Sequence, residues 1–203
     1  MKKQIVLCLL GCIMALPVAN TVSAAEMDII IDARPGTLLL GNNTGRFKAE
    51  GPAGDLLVIE EAGGLSTFPS LRMGIGLDAL QTYFDIMGDV GILLTDRFRA
   101  PYLGADASLQ YKFRKNIGAG PHIGLMYFMT PEWSGSAPLD FSDSWGFNLG
   151  LLVAVGYDVQ FVFAIDYVYI DPFKVTDRGN WTITQEDLDF TSLGVQFGIR
   201  GRF

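Results

Sequence analysis

The chain has 203 residues, 49% of them hydrophobic, with 22 acidic against 15 basic residues for a formal net charge of −7. So acidic a chain is a poor match for nucleic acid. After the first 24 positions no uninterrupted apolar run approaches the ~18 residues a membrane-crossing helix needs, so its hydrophobicity must be carried in another pattern.

Lys2 and Lys3 precede an apolar run from Ile5 to Leu16, followed by Pro17 and the small-residue site Val22-Ser23-Ala24. This is the pattern of a cleaved secretory signal peptide, residues 1–24. Leu9-Leu10-Gly11-Cys12 has the residue types of a lipid-attachment site, but the apolar run continues past Cys12, which favours ordinary cleavage. Cleavage removes both cysteines, Cys8 and Cys12, so the mature chain has no thiol, which excludes a disulfide scaffold and suits an oxidising periplasm. It also removes two lysines, leaving 13 bases (15 − 2) against 22 acids, a net charge of −9. Residues 25–203 make one domain.

Eight segments of that domain alternate with period two. Asp28 to Leu40 sets Ile29, Ile31, Ala33 and Leu39 against Asp32, Arg34 and Gly36. Ser70 to Leu77 sets Leu71, Met73, Ile75 and Leu77 against Arg72 and two glycines, and Asp78-Ala79 reads as a tight turn. Leu80 to Leu94 opposes Phe84, Ile86, Val90 and Ile92 to Tyr83, Asp85, Met87 and Asp89. Tyr102 to Phe113 opposes Leu103, Ala105, Leu109 and Tyr111 to Asp106, Ser108, Gln110 and Lys112, and Arg114 to Asn116 turns the chain. Ile117 to Thr130 opposes Ile123, Leu125 and Tyr127 to Gly120, His122 and Gly124. Trp145 to Tyr157 carries Phe147, Leu149, Leu151, Val153 and Val155 between its aromatic ends, spaced as two interfacial girdles. Val159 onward opposes Phe161, Phe163, Ile165 and Tyr167 to Gln160, Val162, Ala164 and Asp166. Pro35, Pro101 and Pro121 lack a ladder donor. Irregularities are expected at Pro35 and Pro121, with Pro101 at the outer rim.

The last segment, Leu193 to Phe203, has Leu193, Val195, Phe197 and Ile199 on one face and Gln196, Gly198, Arg200 and Arg202 on the other. Ending on an aromatic residue, it resembles the C-terminal assembly signal of Gram-negative outer-membrane β-barrels, in which Gln196, Gly198 and Phe203 would carry recognition by the barrel assembly machinery. Gly201 departs from the bulky residue usual there. The chain is similar to the OmpA, OmpX and OmpW class, which implies an eight-stranded antiparallel up-and-down transmembrane β-barrel in the outer membrane, monomeric, among lipids and lipopolysaccharide, with both termini periplasmic. The connections agree: short turns after segments two, four and six alternate with longer outer loops at about 41–69, 95–101, 131–144 and 171–188. A secreted lipocalin would also have eight strands, but its apolar face would point inward. Here the polar parity is rich in glycine, which suits a crowded narrow lumen.

Chemistry has three candidates. The inward charges Asp32, Asp85, Asp89, Asp106 and Asp166 against Arg34, Arg72, Lys112, Arg200 and Arg202 balance five to five, and are expected to form a structural network filling a barrel too narrow for a water channel. With a turn at Asp78-Ala79, Arg72 would lie opposite Asp85. The outer loops are acidic, with Glu60, Glu61, Asp140, Asp143, Glu186, Asp187 and Asp189. Asp177 to Asp189 lacks the ligand spacing and the sixth-position glycine of a calcium loop. Leu56 to Ile59 and Leu65 are expected either to cap the barrel or to belong to a hairpin above the membrane. Third, with Phe113 facing Ile117, Ser108 would face His122 with Asp106 nearby, the residue inventory of an acyl-transfer site. Strand amides are used by the ladder, so oxyanion donors are lacking, and a hydrogen-bonded core histidine is the expected outcome. The sequence therefore predicts a barrel without enzymatic activity, metal or cofactor, with a structural or surface-interaction role. Passage of small apolar molecules, as in OmpW-like proteins, and lipid modification, as in lipid A deacylases and palmitoyl transferases, are the alternatives. No His-x-Ser motif of the deacylase kind is present.

Overall fold

The computed structural model describes residues 26–41, 47–51, 56–59, 66–135, 139–177, 179–183 and 187–203. The expected signal peptide, Glu60, Glu61, Leu65 and Glu186 lie outside these. Eight antiparallel strands close into a ring: β1 (Glu26–Arg34, resuming after Pro35 as Gly36–Gly41), β2 (Ser70–Ala79), β3 (Thr82–Leu94), β4 (Phe98–Arg114), β5 (Ile117–Phe128), β6 (Ser144–Gly156), β7 (Val159–Ile170) and β8 (Ser192–Arg202). Each pairs with its chain neighbour, and β8 closes on β1 with Asp32 opposite Arg200. Closure leaves no unpaired sheet edge around the ring, the condition for strands to sit in lipid.

The two faces of the ring are chemically opposite. Ile29, Met73, Leu125, Leu151 and Phe161 point outward and are exposed, whereas the residues between them are buried in the lumen, down to 0% for Asp32, Asp85, Asp166 and Arg200. A soluble protein does not clothe itself in a continuous apolar belt while burying its charges. Trp145 and Tyr157, each more than 60% exposed, mark the two ends of that belt, one at the start of β6 and the other just past its last residue. The transmembrane barrel expected from the alternation is thus the observed fold.

The details of pairing differ from expectation in three places. The β2–β3 turn is Leu80-Gln81, not Asp78-Ala79, so Ala79 pairs with Thr82, Arg72 with Asp89, and Asp85 with Gly76. Displacing the turn by two residues leaves every side chain on its face, because strand alternation has period two, and changes only its partner. The β4–β5 turn is Lys115-Asn116, with Arg114 opposite Ile117. A register shift beside Phe113 restores the expected pairing of Ser108 with His122 further along. The second outer connection is only Thr95-Asp96-Arg97, closed by Thr95 N–H donating to Phe98 O at 2.8 Å, because β4 begins at Phe98 and runs through Pro101. Pro101 lies inside the strand, its carbonyl accepting from Met129 N–H at 2.9 Å. Pro35 interrupts β1 and its carbonyl accepts from Phe197 N–H, while the register shift in this pairing falls at Leu193/Gly194. Pairing lapses at Pro121 without a change of register.

Beyond the membrane belt the loops build structure of their own. Phe47–Glu50 pairs with Leu56–Ile59, so the apolar stretch of the first loop is one arm of a hairpin, and Thr182–Ile183 of the last loop adds a third strand. Asp140–Phe141, Phe173–Asp177 and Asp187–Leu188 form a second small sheet. Under these lies a hydrophobic cluster that the sequence reading did not anticipate. Leu38, Phe68, Leu93, Phe98, Tyr102, Met126, Phe128, Val168 and Ile170 from the strand ends meet Leu139, Phe141, Phe173, Ile183, Leu188 and Phe190 from the loops. Trp133 and Trp181 pack against its flank.

Candidate functional site

The lumen is the place where the strands bring polar side chains together, and it is filled in three layers. At the turn end, Arg202 Nη1 reaches Asp28 at 3.1 Å and Nη2 bonds Asp85. Lys112 Nζ bonds Asp78, and both cations flank the Tyr83 ring at 4.1 and 4.2 Å from its centroid. Lys112, expected inside the lumen, therefore serves its mouth. A cavity of about 890 Å³ opens there, lined by Glu26, Asp158, Arg114 and Lys115 among others.

Above the mouth, Asp85 is held by Arg200 Nη1 at 2.7 Å, Gln110 Nε2 at 2.9 Å and the Ser108 hydroxyl at 3.1 Å. Arg200 Nε also donates to Asp32 at 2.9 Å, and Asp32 takes a two-pronged hydrogen bond from Arg34 at 2.6 and 2.9 Å. Each carboxylate thus accepts from more than one donor, the condition under which a buried ion pair avoids leaving a bare charge.

The middle layer is a closed ring of side chains. Arg72 lies 3.3 Å from Asp89 and 3.4 Å from Asp106 and donates to Gln196 Oε1 at 2.9 Å. Asp106 Oδ2 is 3.2 Å from His122 Nδ1, His122 Nε2 is 2.5 Å from Asp166 Oδ1, and Gln196 Nε2 donates to Asp166 Oδ2 at 2.8 Å, returning to Arg72. Five of the eight strands contribute one member each. Gln196, which the sequence assigned to assembly, is thereby part of the lumen as well. Gly198 lies where a Cβ would come within 2.2 Å of Ala33 O, and Phe203 is exposed at the turn end, its backbone paired with Ile29.

The ring decides how the Ser108, His122 and Asp106 candidates are used. Ser108 sits directly opposite His122, as expected. Its hydroxyl nevertheless donates to Asp85, and both histidine nitrogens lie against carboxylates, Nδ1 hydrogen-bonded to Asp106 and Nε2 in ion-pair contact with Asp166, so no base is aimed at the serine. An activated serine needs its base within hydrogen-bond reach. Among the described residues no group of three or more His, Cys, Asp or Glu could hold a metal ion.

Among the described acids of the outer loops, Asp177 and Asp189 each accept one backbone N–H at 2.8 Å, from Gly179 and Thr191, and Asp143 accepts two hydrogen bonds. Asp143, between β5 and β6, accepts from Thr130 N–H at 2.8 Å and from the Tyr127 hydroxyl at 2.7 Å, and these two bonds hold its carboxyl below the usual range. Thr130 itself takes a left-handed backbone, φ 38°.

No protein-family model matches the chain, and no curated protein matches it. Among solved structures it is similar to the outer membrane protein OprG from Pseudomonas aeruginosa, at 15% identity over 87% of this chain and 95% of that one, with a TM-score of 0.47. It is also similar to Neisserial surface protein A, at 18% identity, 89% and 100% coverage and a TM-score of 0.42. A major outer membrane protein from Thermus thermophilus is similar at 12% identity, 86% and 99% coverage and a TM-score of 0.43.

Proposed function

We propose that this protein is a barrel of the Gram-negative outer membrane with a sealed lumen, acting through structure and through the surface its folded loops present, and not through catalysis or transport. It works as a monomer among phospholipid and lipopolysaccharide, after insertion by the barrel assembly machinery. The observation that carries this reading is the double filling of the lumen: the charged ring at mid-height, and above it the aromatic cluster in which Phe98, Phe128, Phe173 and Phe190 are at most 1% exposed. An aromatic cluster of this kind gives water and ions no polar partners, and the described strands of the loops that complete it are tied into small sheets, which supports a sealed lumen. Reconstitution into planar bilayers tests the reading. Silence at 100 mV is expected, and steady currents of porin size would overturn it.

A further inference from the structure

The buried charges of the lumen do not balance with arginine alone. Among the described residues five luminal aspartates are buried, Asp32, Asp85, Asp89, Asp106 and Asp166, against four arginines, Arg34, Arg72, Arg200 and Arg202. Lys112, the fifth cation by sequence, is paired with Asp78 at the partly open mouth and neutralises that acid instead. An uncompensated charge in so dry an interior is strongly disfavoured. The one remaining base among the described buried residues of the lumen is His122, 1% exposed and the single histidine of the chain.

The ring geometry points the same way. A neutral imidazole has one N–H and one lone pair, and only the imidazolium donates from both nitrogens. His122 has a carboxylate oxygen on each side, Asp106 at 3.2 Å from Nδ1 and Asp166 at 2.5 Å from Nε2. In the neutral form one of those contacts would set a lone pair against an anion. The neighbouring strands support the arrangement. From β6, Gly150 lies opposite His122, and a Cβ there would stand 2.0 Å from Asp166 Oδ1, so its absence leaves Asp166 the space to reach the ring. From β8, Gln196 holds the other oxygen of Asp166, and from β2, Arg72 spends its charge on Asp89 and Asp106. Ser108 of β4 gives its hydroxyl to Asp85, and β1 presents Asp32 already bound by Arg34 and Arg200.

We propose that the lumen contains a proton-binding site, in which His122 is held as an imidazolium between Asp106 and Asp166 and acts as the fifth cation that keeps the barrel closed. Losing that proton would leave the lumen with an excess aspartate and cut the tie between β4, β5 and β7. The stability it supplies is therefore present at neutral pH and lost on the alkaline side, as pH rises through the value at which His122 releases its proton.

The single histidine makes the test unambiguous. Full-length mature barrel labelled with ¹⁵N-histidine and refolded in detergent micelles should show both imidazole nitrogens protonated at pH 7, where an exposed histidine, titrating near ~6.5, is mostly neutral. One protonated and one bare nitrogen at pH 7 would overturn the proposal. His122→Gln leaves five buried acids against four arginines, whereas His122→Gln with Asp166→Asn restores four against four. The urea midpoint at pH 7 should fall in the single variant and recover at least partly in the double. A double variant less stable than the single one overturns the charge-balance argument. Should either variant fail to fold, the nitrogen spectrum of the unaltered protein decides alone.

Discussion

Arg72 shows what a single luminal residue carries. It faces Asp89, Asp106 and Gln196 at once with a side chain only 2% exposed, so removing it strands two carboxylates. Arg72→Ala is expected to cost about 3–5 kcal/mol in urea unfolding from lipid vesicles, the usual result of breaking a buried pair from one side. Combined with Asp89→Ala it should cost less than the sum of the two single changes, and strict additivity would remove the pairing. Arg72→Ala with Asp85→Ala should behave nearly additively, since Asp85 belongs to Arg200 and Arg202. Ser108→Ala tests the catalytic alternative at its strongest point. The membrane's lipid A and phospholipid profile should be unchanged, while the barrel loses about 1.5–3 kcal/mol with the one hydrogen bond Ser108 gives the charged Asp85, which keeps Arg200 and Gln110. A lipid species that disappears in this variant and returns with the unaltered protein would make Ser108 a nucleophile after all.

At the scale of elements, the strand ends and loops depend on each other through the aromatic cluster. Phe98 stacks on Phe190 at 5.2 Å and meets Phe173 and Phe141 edge-on at 4.9 and 5.4 Å, joining the start of β4 to two loops. Phe98→Ala should cost about 3–5 kcal/mol and expose residues 129–143 and 171–191 to protease. Unchanged proteolysis would mean that the loops hold their shape without the cluster. Asp143 gives the β5–β6 connection an acid sensitivity of its own. Its carboxyl sits below the usual range when folded, so the contribution is full above the unfolded value near ~3.9 and is lost as pH falls through the lower folded one. Protease nicking of residues 129–143 should therefore rise at low pH, and Asp143→Asn should already nick at neutral pH. Equal rates for both proteins at neutral pH would discount the two hydrogen bonds.

For the whole molecule, what was legible in the sequence was set by the period of two. Which residues face lipid and which face the lumen follows from alternation alone, and every inward charge named from the sequence points inward, Lys112 at the mouth included. Partner identity was not legible, because a turn displaced by two residues preserves every facing and trades Asp85 for Asp89 opposite Arg72. The aromatic cluster was missed although a signal existed. On the luminal parity, Gly124 and His122 give way to Met126 and Phe128, and Asp166 gives way to Val168 and Ile170, toward the loop end of the strands. That change from polar to apolar on one face marks where the charged filling of the lumen gives way to the aromatic cluster. It was hidden because half of the cluster comes from loops whose partners are distant in sequence.

The three tryptophans of the chain all stand at the loop end of the barrel: Trp133 and Trp181 against the aromatic cluster, and Trp145 outward beside Tyr127 at 4.6 Å, 61% exposed. The protein thus carries an optical probe confined to one half of its height. Quenching by brominated lipid chains will read Trp145 entering the bilayer, and the emission colour of Trp133 and Trp181 will read the loops settling over the lumen. In a refolding time course the two signals separate insertion from capping without a label, while the turn half, where His122 and the charged layers begin, stays dark.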